Sequence, residues 1–422
     1  MNTLFTNANI LTPQGVVRGC LGVADDRIAF VGELPQDFLV ERSIDCEGGL
    51  LLPGLVNAHT HLSMTLFRNA ADDMELSAWL QDRIWPLEDQ LDAEACYYGA
   101  LLALAEGIRG GTTAFNDMYF FEESVARAVA ESGVRAVIAR SVVTGADGGK
   151  SRVEEARQLY LDYNGAEDDR IHVAIAPHAE YTCSEETLIA CEKLAHSLGA
   201  RIHIHLSETY QEHEECKLRH QLTPAAYLAS LGMLGEETLL AHCVYCDADD
   251  AALLGAAKAT VLHCPQSNLK LGSGIAPVMP LLAHGVNIAL GTDGAASNNN
   301  LDMFEELRLA ATLHKGVTMN PKAVNAKTAL QMATENGARA LGWQSGRLQE
   351  GYLADVVLVD TNIPSMQPVN DLTAAAAYSA SAGDVLLTMA NGRILYERGE
   401  YYTLDIERIL ANAARIKDRL GL

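Results

Sequence analysis

Short apolar runs and amphipathic segments alternate along the middle of the chain, from about residue 54 to residue 345. A short apolar run bounded by turn residues predicts a buried strand, and apolar positions three or four apart predict a helix. The pattern predicts strands at residues 50–58, 112–115, 134–143, 171–176, 201–206, 238–241, 260–262 and 286–290. It predicts helices between most of them, for example at residues 93–108, 122–132, 184–198 and 224–231.

This alternation indicates the α/β class and favours a (β/α)8 TIM barrel. An open, doubly wound sheet is the alternative architecture. Such a sheet usually carries a glycine-rich phosphate loop after its first strand, whereas the first strand here ends in His59 and His61. The barrel is therefore the preferred prediction.

Both ends of the chain have a different pattern, with short strand-like runs separated by turns. We expect these two ends to pair into a small β-sandwich domain, followed by a terminal helix at residues 404–420. The predicted division is 1–53 for the first part of the sandwich, 54–345 for the barrel, and 346–422 for the second part with the helix. The strand-like runs lie at residues 3–7, 16–23, 27–31 and 43–46, and at 354–359, 385–390 and 393–396.

Composition excludes several classes of protein. Apolar residues make up 49% of the chain and charged residues 20%, which is typical of a folded globular protein. The formal net charge of −24 disfavours binding to nucleic acid or to anionic membranes. The first dozen residues lack the features of a secretion signal, and no apolar stretch approaches the ~18 residues that span a bilayer. A soluble, cytoplasmic protein is expected.

The cysteines are expected to be reduced thiols. There are nine of them, an odd number in a chain without an export signal. Cys243 and Cys246 form the one close pair, but neither a second CxxC pair nor a thioredoxin-like setting accompanies it. No chemical role is expected for this pair.

Polar residues occur where the predicted strands end. In barrel enzymes the carboxyl ends of the strands share one face, which carries the active site. The side chains at these ends are therefore expected to converge. They are His59, His61, Arg140, His178, His205 with Glu208 just beyond, His242 and Asp293.

Four of these residues form a candidate metal site. His59, His61, His205 and Asp293 offer three nitrogens and one oxygen, a set that suits a divalent metal with a position left for water. Each could instead be a strand-capping histidine, a core histidine or a loop aspartate, but their coincidence at matching strand ends favours a metal. Strand four ends without a nearby lysine, so we expect one metal ion per subunit, with Zn2+ preferred over Fe2+ or Mn2+.

Two neighbours are expected not to bind the metal. His203 is predicted to point to the face opposite His205, as a core histidine. The small, polar segment 294–300 after Asp293 is expected to be a solvated turn, with a close backbone approach to a ligand as the alternative.

A metal in this site predicts hydrolytic chemistry. It lowers the pKa of a bound water from 15.7 toward roughly 7, and Asp293 can accept the proton that the water loses. Glu208 lies three residues past His205 and is predicted to be a general acid and base. His242 is predicted to orient the nucleophile or to polarise the atom under attack.

The motifs together resemble the amidohydrolase superfamily, and within it the branch of 5-methylthioadenosine/S-adenosylhomocysteine deaminases and related chlorohydrolases. The resemblance covers nearly all of the chain. It implies hydrolytic deamination of S-adenosylhomocysteine, 5-methylthioadenosine or both to the inosine analogue, with adenosine and 5′-deoxyadenosine as further candidates. It is carried by Pro53-Gly54-Leu55-Val56-Asn57-Ala58-His59-Thr60-His61, His205-Leu206-Ser207-Glu208, Ala241-His242-Cys243, His263-Cys264-Pro265-Gln266-Ser267-Asn268 and Gly291-Thr292-Asp293-Gly294.

The resemblance also implies substrate contacts. Trp79 and Glu88 match residues that contact the base and the ribose, and His178 matches a position that contacts the nucleoside. Arg140 and Arg152 match two arginines that receive the amino-acid carboxylate of S-adenosylhomocysteine, which a planar guanidinium binds through two parallel hydrogen bonds. The alternatives are core packing for Trp79, plain surface for Glu88, and a solvated arginine in the glycine-rich stretch 145–151 for Arg152.

Two other functions remain open at this point. The same chemistry could act on guanine, 8-oxoguanine, cytosine or a triazine, but a small neutral ring would give Arg140 and Arg152 no carboxylate to bind. A barrel that serves only as an assembly partner would predict eroded ligands, whereas all four ligands and Glu208 are present. A small-molecule substrate is therefore expected, and a homo-oligomer is compatible with this fold.

Overall fold

The computed structural model describes residues 2–422. Its strands are β1 Thr3–Thr12, β2 Gly15–Ala24, β3 Arg27–Gly32, β4 Arg42–Asp45, β5 Leu50–Pro53, β6 Leu55–Thr60, β7 Thr112–Asp117, β8 Arg135–Ile138, β9 Ser141–Val142, β10 Ile171–Val173, β11 Ala176–Pro177, β12 Ile202–Leu206, β13 Thr238–His242, β14 Thr260–His263, β15 Asn287–Leu290, β16 Val356–Val359, β17 Val385–Ala390, β18 Arg393–Glu397 and β19 Glu400–Tyr401.

Helices separate most of the strands from β6 to β16. They are α1 Leu76–Ala78, α2 Trp85–Glu88, α3 Ala93–Arg109, α4 Glu122–Ser132, α5 Lys150–Tyr163, α6 Ala166–Asp169, α7 Glu185–Leu198, α8 Tyr210–His220, α9 Pro224–Ser230, α10 Ala248–Ala257, α11 Pro265–Lys270, α12 Val278–Ala283, α13 Met303–Thr318, α14 Ala326–Ala333, α15 Glu335–Leu341, α16 Leu372–Tyr378 and α17 Ile406–Arg419, with 3-10 turns at Leu62–Phe67 and Ala382–Asp384 and a π-helical turn at Trp79–Ile84.

Local sequence signals set the helix ends. In α7, the side chain of Ser184 accepts a hydrogen bond from the backbone N–H of Thr187, and the helix ends at Gly199 in the left-handed conformation. These are the residue types that cap a helix at its beginning and end. The predicted helix at residues 184–198 is therefore confirmed to within one residue.

Strands in the middle of the chain pair in parallel. One sheet has the order β10-β8-β7-β6, a second pairs β11 with β9, and a third has the order β12-β13-β14-β15. Isolated parallel bridges join Ile175 to Ile202 and Ala179 to His205, and so connect the residues on either side of β11 to β12. Parallel strands that alternate with helices give the mixed α/β fold expected from the sequence.

The predicted strand at residues 50–58 is in fact two strands that belong to different sheets. β5 pairs with β1 and β16, whereas β6 pairs with β7. The break falls at Pro53-Gly54, where the chain passes from one sheet to the other. A Cβ at Gly54 would lie 2.1 Å from the side-chain oxygen of Thr113, so the crossing requires glycine.

The two ends of the chain share one nine-stranded sheet. Its order is β19-β18-β17-β16-β5-β1-β2-β3, with β4 paired to β1. β5 and β16 pair antiparallel and so bring the first end of the chain against the second. The expected association of the two ends is therefore observed.

A buried ion pair connects this sheet to the middle of the chain. Nε of Arg135, in β8, lies 3.2 Å from Oδ2 of Asp355, next to β16, and the two side chains are only 2% and 1% exposed. Among residues 2–422, no helix is both long enough and apolar enough to cross a bilayer.

Candidate active site

Three parallel strands carry the predicted metal ligands at or just after their carboxyl ends. His59 lies in β6, where His61 directly follows the strand, His205 lies in β12, and Asp293 comes just after β15. The backbone N–H of Asp293 donates to the carbonyl oxygen of His59 at 2.9 Å. A Cβ at Gly291 would lie 2.7 Å from the backbone nitrogen of His59, so only glycine permits this close approach.

Hydrogen bonds through Nδ1 hold two of the imidazole rings. Nδ1 of His61 donates to the carbonyl oxygen of Met118 at 2.6 Å, and Nδ1 of His205 donates to that of His178 at 2.8 Å. Because a carbonyl oxygen only accepts, the neutral form of each ring carries its proton on Nδ1. Its Nε2 then has a free lone pair that can bind a metal. Metal-binding histidines usually have this arrangement.

His59 lies among the other rings. Its ring centroid is 5.0 Å from those of His61 and His205 and 5.3 Å from that of His242. Its Nε2 is buried and has no hydrogen-bond partner within residues 2–422, although it is 3.5 Å from Oδ1 of Asp293. A buried nitrogen in this state fits a metal ligand.

Asp293 is fixed by four neighbours. Its Oδ1 lies 3.2 Å from Nε2 of His61 and accepts the backbone N–H of Gly294 at 2.8 Å. Its Oδ2 accepts the hydroxyls of Ser267 at 2.6 Å and Ser297 at 2.8 Å. The carboxylate is therefore held with one oxygen toward the histidines.

The donor atoms are close enough to bind one ion. His59, His61 and Asp293 form one group of potential ligands, and His59, His205 and His242 form another, with the atoms of each group within 4.8 Å of one another. The two groups contain all four predicted ligands. They also include His242, which was predicted to orient the nucleophile or to polarise the atom under attack. Nitrogen and oxygen donors in this number suit zinc and related divalent metals.

The charges around Asp293 show why the site favours a cation. Burial alone would raise the pKa of Asp293, but its interactions with His59 and His61 hold that pKa well below the usual range. Burial lowers the pKa of His59 to about 4. Burial would also lower the pKa of His61, but interaction with Asp293 outweighs it and raises that pKa to about 9. Without a metal, His61 supplies the positive charge that this carboxylate requires.

Glu208 follows β12 and lies near His242. Its Oε2 is 3.8 Å from Nε2 of His242, whose Nδ1 donates to Oδ1 of Asn268 at 2.8 Å. Burial raises the pKa of Glu208 above its ordinary value. This shift favours the protonated form of the carboxyl group, which is the form that a general acid requires.

Most of the predicted site residues line one cavity of about 1120 Å3. His59 and His242 are fully buried. The cavity is thus lined by three of the four candidate metal ligands and by both arginines. The predicted residues that line it are His61, Trp79, Glu88, Arg140, Arg152, His178, His205, Glu208 and Asp293.

The three predicted nucleoside contacts all face this cavity. Trp79 is buried, and its indole N–H has no hydrogen-bond partner among the residues described. Glu88 is half-buried, and burial raises its pKa to about 7. Nδ1 of His178 lies 3.0 Å from the hydroxyl of Thr182. Plain surface is therefore excluded for Glu88, whereas Trp79 both packs in the core and lines the cavity.

The two arginines lie on different elements and have different partners. Arg140 lies between β8 and β9, and its Nε donates to Oε2 of Glu155 at 2.7 Å. Arg152 lies in the first turn of α5, so it is not part of a solvated glycine-rich loop. Its Nη1 donates to the carbonyl oxygen of Val143 at 2.9 Å.

Two sequence predictions near the metal ligands were wrong. His203 does not face away from His205, because residues two apart in a strand share a face, and its Nε2 lies 2.9 Å from Nδ1 of His59. The segment after Asp293 is not a solvated turn, since Ala295, Ala296 and Ser297 are buried. This segment packs around the carboxylate instead.

Several supporting residues were not identified from the sequence. Asn268 was quoted within a motif, but its hydrogen bond to His242 could not be anticipated without the turn that follows β14. Glu212 was not considered, although its Oε1 and Oε2 accept the backbone N–H groups of Ser207 at 2.8 Å and Glu208 at 2.7 Å. The signal that could have found it is an acidic residue in the first turn of a helix directly after a site residue.

All nine cysteines are free thiols. Cys243 is buried and Cys246 is half-buried. Burial raises the pKa of the Cys243 thiol well above its ordinary value. A buried, protonated thiol is a poor nucleophile.

The chain is similar to known proteins over nearly its whole length. The chain is 46% identical to a 5-methylthioadenosine/S-adenosylhomocysteine deaminase of Moorella thermoacetica over 98% of each chain. It is also 46% identical to a 5′-deoxyadenosine deaminase of Methanothermobacter thermautotrophicus over 97% of each. A crystal structure of an adenosine deaminase from Xanthomonas campestris with bound zinc is 34% identical, with a TM-score of 0.94 over 99% of this chain and 98% of that one. The Amidohydrolase family matches residues 50–395, and the chain therefore belongs to that family.

Proposed function

We propose that this protein is a metal-dependent hydrolytic deaminase of adenine nucleosides. It would convert S-adenosylhomocysteine, 5-methylthioadenosine or both to the inosine analogue and ammonia, with adenosine and 5′-deoxyadenosine as further candidates. The observation that carries the proposal is the convergence of His59, His61, His205 and Asp293 beside a cavity that Glu208 lines. Relatives named as deaminases of such nucleosides, at 46% identity over nearly the full length, support it.

The proposed architecture is a closed (β/α)8 barrel over residues 54–345. Two observations support this architecture. Parallel bridges connect the residues on either side of β11 to β12. The backbone N–H of Asp293, just after β15, donates to the carbonyl oxygen of His59 in β6, so the last of these strands lies next to the first. Closure of this kind distinguishes a barrel from an open doubly wound sheet.

Residues 1–53 and 346–422 would form the β-sandwich domain. β1 pairs with β4 through its first residues and with β5 further on, and its register against β2 shifts between Phe5 and Ala8. Strands that change partner at a bulge make the corners of sandwiches. This irregularity supports a sheet that folds over on itself.

One divalent metal ion per subunit, with Zn2+ preferred over Fe2+ or Mn2+, would be held by His59, His61, His205 and Asp293. This set is supported by His61 and His205, whose Nδ1 atoms are hydrogen-bonded to backbone carbonyls so that Nε2 is left for a metal. It is also supported by the buried Nε2 of His59, which has no hydrogen-bond partner among residues 2–422, and by the zinc in the similar crystal structure. When bound, such an ion supplies Lewis acidity, which makes water nucleophilic at neutral pH.

The protein's own residues would move the protons. Deamination forms a C–O bond at C6 of the purine and breaks the C–N bond, so the ring nitrogen and the departing ammonia each need a proton. Glu208, whose pKa is raised by burial, would protonate the ring nitrogen, take a proton back from the new C6 hydroxyl, and pass it to the departing amino group. Asp293, whose carboxylate is ionised, would accept the proton lost by water and later return it to Glu208, and His242 would orient the attack.

The cavity walls would orient the nucleoside. Trp79 offers an indole face and an unpartnered N–H, Glu88 offers acceptors for the ribose hydroxyls, and His178 lies beside His205 with 4.7 Å between the ring centroids. Arg140 and Arg152 would bind the polar end of the 5′-substituent. Bound in this way, the purine points toward the candidate metal ligands.

An ultraviolet assay for conversion of adenine to hypoxanthine tests the proposal. Purified protein would be offered S-adenosylhomocysteine, 5-methylthioadenosine, adenosine and 5′-deoxyadenosine, with guanine, cytosine and a chlorotriazine as comparison substrates. We expect kcat/KM to be highest for one of the adenine nucleosides. A preference for a comparison substrate would contradict the proposal.

A further inference from the structure

His59 differs from the other two candidate histidine ligands in what holds its ring. Nδ1 of His61 and Nδ1 of His205 each donate to a backbone carbonyl oxygen, which can only accept. Nδ1 of His59 instead lies 2.9 Å from Nε2 of His203, which belongs to a second imidazole. An imidazole nitrogen can donate or accept, so the backbone does not decide where the proton of the His59 ring lies.

The contact with His59 is the one hydrogen bond that the His203 side chain makes among residues 2–422. His203 lies in β12 and is fully buried, and its ring meets that of His59 edge to face, with 5.0 Å between the centroids. Its Nδ1 is also buried and has no hydrogen-bond partner in the described part of the chain. A buried polar ring held by a single hydrogen bond points to a role for that bond.

Two arrangements of protons satisfy the contact between these two rings. In the first, His59 carries its proton on Nδ1 and donates it to Nε2 of His203, whose own proton is then on Nδ1. In the second, His203 donates through Nε2, and His59 carries its proton on Nε2. Only the first arrangement leaves a lone pair on Nε2 of His59, so only the first allows His59 to bind a metal through that nitrogen.

The second arrangement competes with a metal for the same nitrogen. It places an N–H on Nε2 of His59, which lies 3.5 Å from the carboxylate oxygen Oδ1 of Asp293. A group at position 203 that accepts a hydrogen bond from Nδ1 of His59 favours the first arrangement instead. The affinity for a metal should therefore depend on whether residue 203 supplies an acceptor.

We propose that His203 is a positioning residue for the metal site, an inference that rests on the proposed function. It accepts the proton on Nδ1 of His59 and so keeps Nε2 of His59 unprotonated and available to the ion. His203 acts only through His59, because it belongs to neither group of potential metal ligands and does not line the cavity. Residues that orient a metal-binding histidine in this way usually contribute about 10- to 100-fold to metal affinity.

Two substitutions of His203 separate the acceptor from the bulk of the ring. Glutamine has a side-chain carbonyl oxygen that can replace Nε2 as the acceptor, whereas methionine has a similar length and only a weak acceptor. The quantity measured is the Kd for zinc, by competition with a chromophoric chelator. We expect His203→Met to raise this Kd about 10- to 100-fold and His203→Gln to keep it close to the wild-type value. Equal Kd values in the two variants would overturn the inference.

His314→Met is the matched control. His314 lies in α13, is also buried, and also pairs with an imidazole, since its Nε2 is 3.1 Å from Nε2 of His263. Neither of these rings belongs to the groups of potential metal ligands. The substitution should lower the free energy of unfolding, as His203→Met does, but leave the Kd for zinc unchanged. An equal rise of this Kd in both variants would attribute the effect to lost stability and overturn the inference.

The position of the proton can also be measured directly in the wild-type protein, without any substitution. Two-bond nitrogen–hydrogen correlations in protein that contains 15N-labelled histidine distinguish a protonated ring nitrogen from an unprotonated one. In the zinc-loaded protein we expect His203 to carry its proton on Nδ1 and to have an unprotonated Nε2. A proton on Nε2 of His203 in the zinc-loaded protein would contradict the inference.

These measurements separate failure of this inference from failure of the proposed function. If the wild-type protein binds no zinc, the proposed metal site fails and the inference fails with it. If the protein binds zinc but deaminates no adenine nucleoside, the proposed function fails, and the Kd values for zinc still test His203. If the wild-type protein binds zinc and deaminates its substrate, and His203→Met leaves the Kd for zinc unchanged, only the inference about His203 fails.

Discussion

Glu208 and Asp293 are two carboxyl groups that line the same cavity, yet their surroundings shift their pKa values in opposite directions. Burial raises the pKa of Glu208. Burial acts on Asp293 as well, but His59 and His61 outweigh it and keep that pKa well below the usual range. Pairs of carboxyl groups separated in this way divide the roles of acid and base. The structure therefore favours Glu208 as the proton donor and Asp293 as the group that is ionised before the reaction and can accept a proton.

Glu208→Gln should lower kcat by about 10²- to 10⁴-fold, the usual contribution of general acid–base catalysis. Glutamine keeps the size of the side chain but cannot transfer a proton, so KM and metal content should stay near wild type. Steady-state kinetics and metal analysis check this. Glu214→Gln, an exposed change in α8, is the control. A kcat close to wild type in Glu208→Gln would remove this residue from the mechanism.

Glu88 should give the nucleoside preference a pH dependence. Burial raises its pKa to about 7, so the carboxyl group is mainly protonated below that pH and ionised above it. Only the ionised form is a full acceptor for two ribose hydroxyls. The ratio of kcat/KM for adenosine to that for 2′,3′-dideoxyadenosine should therefore rise, by about tenfold, as pH increases through about 7.

A matched variant tests this assignment. In Glu88→Gln the ratio should not change with pH, because no ionisation remains at this position. A ratio that rises equally in both proteins would show that another group is responsible.

At the scale of secondary structure, the sequence predicted most strands and several helices well. The predictions at residues 122–132 and 385–390 match α4 and β17 residue for residue. Apolar periodicity reports directly on such buried elements. Periodicity does not show where a strand changes sheet, which is why residues 50–58 were predicted as one strand.

The candidate site was also only partly predictable from the sequence. His59, His61 and Asp293 could be identified because strand ends share one face of such a fold. Supporting contacts could not, because they depend on turns. Ser207 adopts a left-handed backbone with φ of 48°, which turns its N–H toward Glu212. No pattern of apolar residues reports a turn of this kind.

Glu212 in α8 should position Glu208 without contacting substrate. Its two oxygens accept the N–H groups of Ser207 and Glu208, whereas glutamine would offer one acceptor and one donor. We expect Glu212→Gln to lower kcat by roughly 10- to 100-fold with a smaller change in KM, since a slight misplacement of a catalytic group has this effect. Glu214→Gln again serves as control. A larger effect on KM than on kcat would contradict a positioning role.

At the scale of the whole molecule, the nine-stranded sheet and the parallel-stranded region meet at a buried charge pair. Arg135 and Asp355 lie 220 residues apart in sequence, and Asp355 also accepts the backbone N–H of Asn391 at 2.8 Å. The pair therefore connects β8, β16 and the turn before β18. A buried pair of this kind is costly to break because the remaining charge is left without compensation.

Asp355→Asn should destabilise the protein by about 3–5 kcal/mol, the usual cost of removing one partner of a buried ion pair. Denaturant titration measures the change. The control is Glu47→Gln, since Glu47 and Arg398 form an ion pair between the two ends of the chain but are exposed, and exposed pairs contribute about 1 kcal/mol or less. Equal losses in the two variants would mean that burial does not govern this connection.

The central claim is that a metal bound by His59, His61, His205 and Asp293 enables the protein to deaminate an adenine nucleoside. The most direct measurement is a zinc titration of chelator-stripped protein, followed by the ultraviolet change from adenine to hypoxanthine. We expect no conversion without metal and full activity at one equivalent per chain, with no recovery in His59→Ala. Conversion by the stripped protein, or restoration of activity in His59→Ala at the same single equivalent, would contradict it.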